Sequence, residues 1–206
     1  MLVVSIVESS FERALEIAKQ YKFVELILDK LDFSALQIEQ IIEVSEKTII
    51  TGLLNSNNPF LVNIMTNENV IVDIPFDSLL EQENILETFS NVQLLLSYHY
   101  WNNFTELLNS KKIDSIIKKM IATSNDVKQI SYFKIAVTIN TEEEEKKFFS
   151  LFEQYAGLKG KLILIPLGKK FQHSRTKSLT LGSPFMYCYV DKPATECQLH
   201  YNEYKI

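Results

Sequence analysis

The chain has 206 residues, 46% of them apolar, which is enough to bury one full core and rules out a disordered segment as its main character. Its 21 Lys and Arg are spread among 26 Asp and Glu for a formal charge of -5, so no basic stripe marks it for nucleic acid or a membrane surface. Residues 1–7 are apolar but carry no basic leader and are too short for a signal-peptide core or a span, and the expectation is a cytoplasmic protein.

Apolar runs rich in β-branched residues recur at 3–7, 23–28, 48–53, 70–74, 92–98, 133–139, 162–167 and 185–190. They are near-continuous, as parallel strands buried on both faces are. Helical periodicity fills the gaps at 11–20, 34–44, 77–89, 104–122 and 141–155. Ser9 or Ser10 suits the cap of the first helix, and Thr141 with Glu144 fits a capping box. Two links lack a helical pattern: the Asn-rich 55–69, where a barrel helix is expected to be reduced or missing, and 168–182, expected as a functional loop. Eight strands in alternation with helices predict a (β/α)8 TIM-type barrel over 1–206 as a single domain, with a doubly wound open sheet as the alternative.

In such a barrel, strand side chains alternate between the lumen and the helix layer, and active sites form at the carboxyl ends of the strands. Glu25, Ile27 and Asp29 share a parity, as do Thr51 and Leu53, and Ser97 and His99. Lys134 is the one ionisable group of its strand. Apolar neighbours would push its amine toward the neutral, nucleophilic form able to make an imine with a ketone; a lysine snorkelling at a strand end or paired with a carboxylate is the competing account. His99 suits proton shuttling, although a hydrogen-bonded core histidine reads equally well. Glu25 and Asp29 could orient the lysine or bind hydroxyls, or equally form structural ion pairs, and Asp73 reads the same way. His173 and His200 are expected in solvent, and Cys188 and Cys197, which lack metal-ligand spacing, as free thiols. The chain's two arginines are Arg13 and Arg175. The second follows a strand in a loop of amides and cations, which suits an anionic group. Together these residues point to an imine-forming lyase or aldolase acting on a small keto acid.

Several segments, in order and spacing, resemble the motifs of the type I 3-dehydroquinate dehydratases. They are Val24-Glu25 with Asp29, Thr51, Val72-Asp73-Ile74, Ser97-Tyr98-His99, Lys134-Ile135-Ala136-Val137, Leu167-Gly168, Ser174-Arg175, Gly182-Ser183-Pro184-Phe185 and Gln198. The resemblance implies a dehydratase of the shikimate pathway that turns 3-dehydroquinate into 3-dehydroshikimate and water, through a Schiff base on Lys134 with His99 moving the protons. It implies substrate contacts from Glu25, Ser97, Arg175, Tyr187, Thr195 and Gln198, a small anionic keto acid as partner, no cofactor or metal, and a homodimer. The chain departs from the family pattern at Ile27 and Leu53, where arginines are expected, near Asn57, where a glutamate is expected, and at Thr195-Glu196-Cys197-Gln198, which replaces Ala-Pro-Gly-Gln. Each lost charged hydrogen bond would cost about 1.5–3 kcal/mol. A lyase on another keto acid and a barrel that has lost catalysis are the alternatives.

Overall fold

Each apolar run becomes a strand in the computed structural model, which describes residues 1–53, 67–81, 89, 92–109 and 112–204. The strands are β1 (Leu2–Ile6), β2 (Phe23–Ile27), β3 (Lys47–Thr51), β4 (Val70–Pro75), β5 (Gln93–Asn103), β6 (Ile130–Thr138), β7 (Leu162–Leu167), β8 (Met186–Tyr189) and a two-residue β9 (Leu199–His200) that the sequence did not announce. All nine are parallel in one curled sheet, ordered β7-β6-β5-β4-β3-β2-β1-β8-β9. Neighbours follow the chain from β1 to β7, and β8 returns to β1. That is the winding of a (β/α)8 barrel; a doubly wound sheet would reverse direction at a switch point.

Around the strands lie α1 (Phe11–Tyr21), α2 (Ala35–Val44), α3 (Phe76–Glu81), α4 (Phe104–Asn109), α5 (Lys112–Asp126), α6 (Glu142–Phe149), α7 (Leu151–Gln154) and α8 (Ser174–Leu181). Local chemistry starts them where expected. The Ser10 hydroxyl accepts from the Arg13 N–H at 3.3 Å, and Thr141 and Glu144 close a capping box at the head of α6. The single helix expected over 104–122 is two helices, and the 55–69 link and Asn57 lie largely or wholly outside the described residues. No helix among the described residues is long and apolar enough to cross a membrane.

The segment 168–182, expected as a loop, contains α8. Its inward-facing residues are Arg175 and Ser178, both polar and both buried, so the apolar periodicity that announces an amphipathic helix is missing. These side chains work at the seam between the first and last parts of the sheet. Among the described residues no backbone ladder joins β7 to β8 or β9. Instead, the Leu164 N–H donates to Ser183 Oγ at 3.2 Å, and Ser178 Oγ donates to the Leu164 carbonyl at 2.6 Å. The two hydroxyls lie 2.8 Å apart. Arg175 Nε donates to the Pro166 carbonyl at 3.4 Å, and Pro166 has no N–H to offer a further strand.

Buried backbone groups must find partners, and at this seam hydroxyls supply them. Replacing Ser178 with Ala is expected to leave the Leu164 carbonyl short of its donor and to cost about 1–3 kcal/mol. The check is urea unfolding, with a lower midpoint at an unchanged slope.

Candidate active site

At the carboxyl ends of the strands the barrel opens into a cavity of about 200 Å³. Ser5 of β1, Glu25 and Ile27 of β2, Thr51 of β3, His99 and Trp101 of β5, Lys134 and Ala136 of β6, Ile165 and Leu167 of β7 and Tyr187 of β8 contribute to its lining. Arg175 of α8, Lys30 after β2, and Ala194, Thr195 and Gln198 before β9 complete it. The structure thus brings together seven of the eight residues expected at a site: Lys134, His99, Glu25, Arg175, Gln198, Thr195 and Tyr187. Ser97 is not among them. It stands in register beside Lys134, is buried, and its Oγ has no hydrogen-bond partner.

Lys134 sits at the floor, 3% exposed. Its Nζ forms an ion pair with buried Asp73 two strands away on β4, which is the carboxylate pairing the sequence leaves open for Lys134. The Tyr187 ring lies 5.1 Å from the same Nζ. Asp73 belongs to β4, and its sequence context fits a site and a structural ion pair equally well. The second carboxylate oxygen of Asp73 and the Tyr187 hydroxyl are buried without hydrogen-bond partners. Burial, with the charges of Glu25 and Asp73, holds the Tyr187 phenol well above its ordinary range.

Strand register sets His99 beside Ala136, two residues above the Ser97–Lys134 pair, so the imidazole stands one layer closer to the mouth than the amine. Its ring stacks against Trp101 at 6.1 Å between centroids and 28° between planes. The residue as a whole is exposed at the mouth, while its imidazole is crowded by protein atoms. Removal from bulk water, reinforced by the Lys134 charge, pushes its pKa down to about 4, so the imidazole is neutral at physiological pH. A break in the β5–β6 register between Tyr100 and Asn103 lies at Trp101, which is 62% exposed over the cavity rim.

Glu25 anchors a chain of hydrogen bonds across three strands. Ser5 Oγ donates to one of its oxygens at 2.5 Å and Thr51 Oγ1 to the other at 2.9 Å. Gln198 Nε2 donates to Ser5 Oγ at 2.8 Å and to the Cys188 carbonyl at 3.0 Å, while its Oε1 accepts the Ala194 N–H at 2.7 Å. Gln198 therefore holds the last loop against β1 and β8 with its whole amide. Burial raises the Glu25 pKa, and the Lys134 charge and its two hydroxyl donors pull against that rise. Arg175 is 3% exposed, donates Nη2 to Cys197 Sγ at 3.3 Å, and forms no ion pair among the described residues.

Asp29, Leu53 and His200 depart from the sequence reading, whereas His173 and the two cysteines follow it. Asp29 leaves the lumen parity because β2 ends at Ile27 and a 3-10 turn, Leu28–Lys30, follows; the carboxylate is exposed on the rim, next to Gly52. Leu53 is buried in the core and, unlike Ile27, does not line the cavity. His173 is exposed. His200 is held between the Val190 carbonyl, at 3.1 Å from Nε2, and the Asn202 N–H, at 3.2 Å from Nδ1. Cys188 and Cys197 are buried free thiols.

The fold and cavity define a (β/α)8 barrel with a buried lysine–aspartate pair and a neutral histidine at the carboxyl ends of its strands. The more particular likeness is to the 3-dehydroquinate dehydratases, whose fold this chain shares. Against the enzyme of Aquifex aeolicus VF5 the TM-score is 0.74 at 22% identity, covering 99% of this chain and 95% of that one. For 3-dehydroquinate dehydratase of Geobacillus kaustophilus HTA426 the values are 0.70 and 13%, over 98% and 87%. For the type I enzyme of Clostridium difficile with covalently modified comenic acid they are 0.68 and 14%, over 98% and 89%. No protein-family model matches the sequence. No curated protein matches it either.

A buried ion pair that loses one partner leaves an uncompensated charge, at a cost of about 3–5 kcal/mol. Asp73→Asn is expected to destabilise the fold by that order, and adding Lys134→Met should recover most of it. Urea unfolding of the single and double variants measures both.

Proposed function

We propose that this chain is a divergent type I 3-dehydroquinate dehydratase that forms a Schiff base with its substrate on Lys134. The observation that carries the reading is the juxtaposition of the Lys134 amine and its Asp73 partner with a neutral His99 one layer above, in a cavity walled on one side by an arginine that has no carboxylate partner among the described residues. A buried amine at the floor of a closed-ended cavity can meet only what the cavity admits, and for imine chemistry that is a ketone.

Lys134 transfers a proton to Asp73 and attacks the substrate C3 carbonyl; loss of water leaves a cationic imine that withdraws electrons from C2. His99, neutral and at the layer above, takes the C2 proton. The electron pair moves toward the imine, forming an enamine, and returns to expel the C1 hydroxyl as water with the proton His99 has just acquired. Hydrolysis of the imine then releases 3-dehydroshikimate and restores the lysine. Arg175 pairs with the substrate carboxylate, and Glu25, fixed by Ser5 and Thr51, accepts from ring hydroxyls. Thr195 and Gln198 hold the last loop over the ring, and the Tyr187 face shields the cationic imine. No step calls for a cofactor.

Ala136, Ile165 and Leu167 on β6 and β7, and Ile27 on β2, give the cavity apolar surfaces on two sides. That favours, as a second reading, an imine-forming lyase for a less hydroxylated keto acid. Comparing kcat/KM for 3-dehydroquinate with that for simple 2-keto acids separates the two, the higher value naming the substrate class.

Borohydride reduction in the presence of 3-dehydroquinate should give a stable adduct on Lys134 by intact mass and peptide mapping. Lys134→Ala should give none, and His99→Ala should still be trapped while turnover falls by about 10²-fold or more. No adduct at saturating substrate would sink the proposal. The sign of the pH dependence follows from His99. Its pKa is lowered from 6.5 to about 4, so the proton that would disable the base binds only in strong acid. The acid limb of kcat/KM is therefore expected near pH 4 and not near 6.5, read from a pH–rate profile.

A further inference from the structure

One cation at the cavity mouth has no part in this scheme. β2 ends at Ile27, and the 3-10 turn Leu28–Lys30 carries the chain along the rim. In a 3-10 turn, side chains three residues apart eclipse one another, so Lys30 stands one turn beyond Ile27, and both line the cavity. The turn is fixed by its backbone: the Glu8 N–H donates to the Lys30 carbonyl at 3.2 Å, and the Leu31 N–H to the Leu28 carbonyl at 3.3 Å. The Lys30 side chain is exposed, and among the described residues its ammonium forms no ion pair. The carboxylate that senses it, Glu8, is committed to a hydrogen-bonded pair with Lys192.

The charges around the cavity give Lys30 a use. Lys134 is matched by Asp73 on the floor, and Arg175 faces the cavity from the β7 side. On the β2 side the lining is Glu25, already holding two hydroxyl donors, and the aliphatic Ile27. A ligand with polar groups at both ends would therefore find a cation at one end only, unless Lys30 supplies the other.

We infer that Lys30 is the second cation of the site, drawing anions to the mouth and donating to the polar end of the substrate that faces β2. A four-carbon arm rooted one turn beyond Ile27 reaches over the aliphatic side chain and does from the rim what a cationic residue at position 27 would do from the wall. The identity of the substrate rests on the function proposed above, whereas the charge at the mouth does not.

Trp101 is the one tryptophan of the chain and lines the same cavity, so its fluorescence reports on the mouth directly. In Lys30→Gln at low ionic strength, quenching by iodide should weaken at least twofold while quenching by neutral acrylamide stays constant. The Kd for quinate, a hydroxylated carboxylate with no ketone to trap, should rise about tenfold in the same fluorescence assay, as expected for one charge-assisted hydrogen bond. KM for 3-dehydroquinate should rise by a similar factor with a much smaller change in kcat, and adding Ile27→Arg should restore most of the affinity. Unchanged iodide quenching, or an unchanged quinate Kd, overturns the inference. A wild-type protein that is neither trapped with 3-dehydroquinate nor binds quinate, yet shows the iodide effect, overturns the proposed function and the substrate-binding half of this inference, and leaves the charged mouth standing.

Discussion

The buried pair of Lys134 and Asp73 constrains everything around it. Two ions taken out of water cost several kcal/mol each, and their mutual attraction offsets this only where the geometry is held and the remaining polar atoms are satisfied. The barrel satisfies the geometry by placing the two on β6 and β4, with β5 between them. It leaves the second Asp73 oxygen and the Tyr187 hydroxyl without partners.

The charge balance of the cavity follows from the same pair. With Asp73 matched to Lys134, the remaining groups are Glu25, Arg175 and Lys30, one negative and two positive. Burial raises the Glu25 pKa, and a neutral His99 adds nothing to the balance.

The sequence made the strands legible because each is a short β-branched run buried on both faces, and β7 falls within its expected bounds to the residue. It made Lys134 and His99 legible because a single ionisable group in an apolar run stands out. Where the signal failed, a physical reason is visible. α8 buries Arg175 and Ser178 in place of an apolar stripe, and β9 is too short for any periodicity. Nothing in the sequence singles out Asp73 over Glu25 and Asp29 as the partner of Lys134, since 61 residues separate the two and only the closing of the barrel brings them together. Lys30 escaped notice for a related reason: strand parity was extended past Ile27, whereas the 3-10 turn that begins there changes which residues point inward.

The side-chain seam beside β7 also bears on how the chain reaches this fold. A ladder between strands adjacent in sequence can form as soon as both exist, and β1 to β7 are joined in that way. One edge of β1 has no partner until β8 arrives from the far end of the chain, and the N-terminal amine then meets the Pro184 carbonyl at 3.3 Å. During synthesis the first strand waits with an open edge until the residues of β8 have emerged, the state in which sheet edges recruit wrong partners. The last thirty or so residues therefore act as a fastener, applied after the rest of the sheet has been laid down, and their hydroxyl and guanidinium contacts can form only when the wall they fasten is already in place.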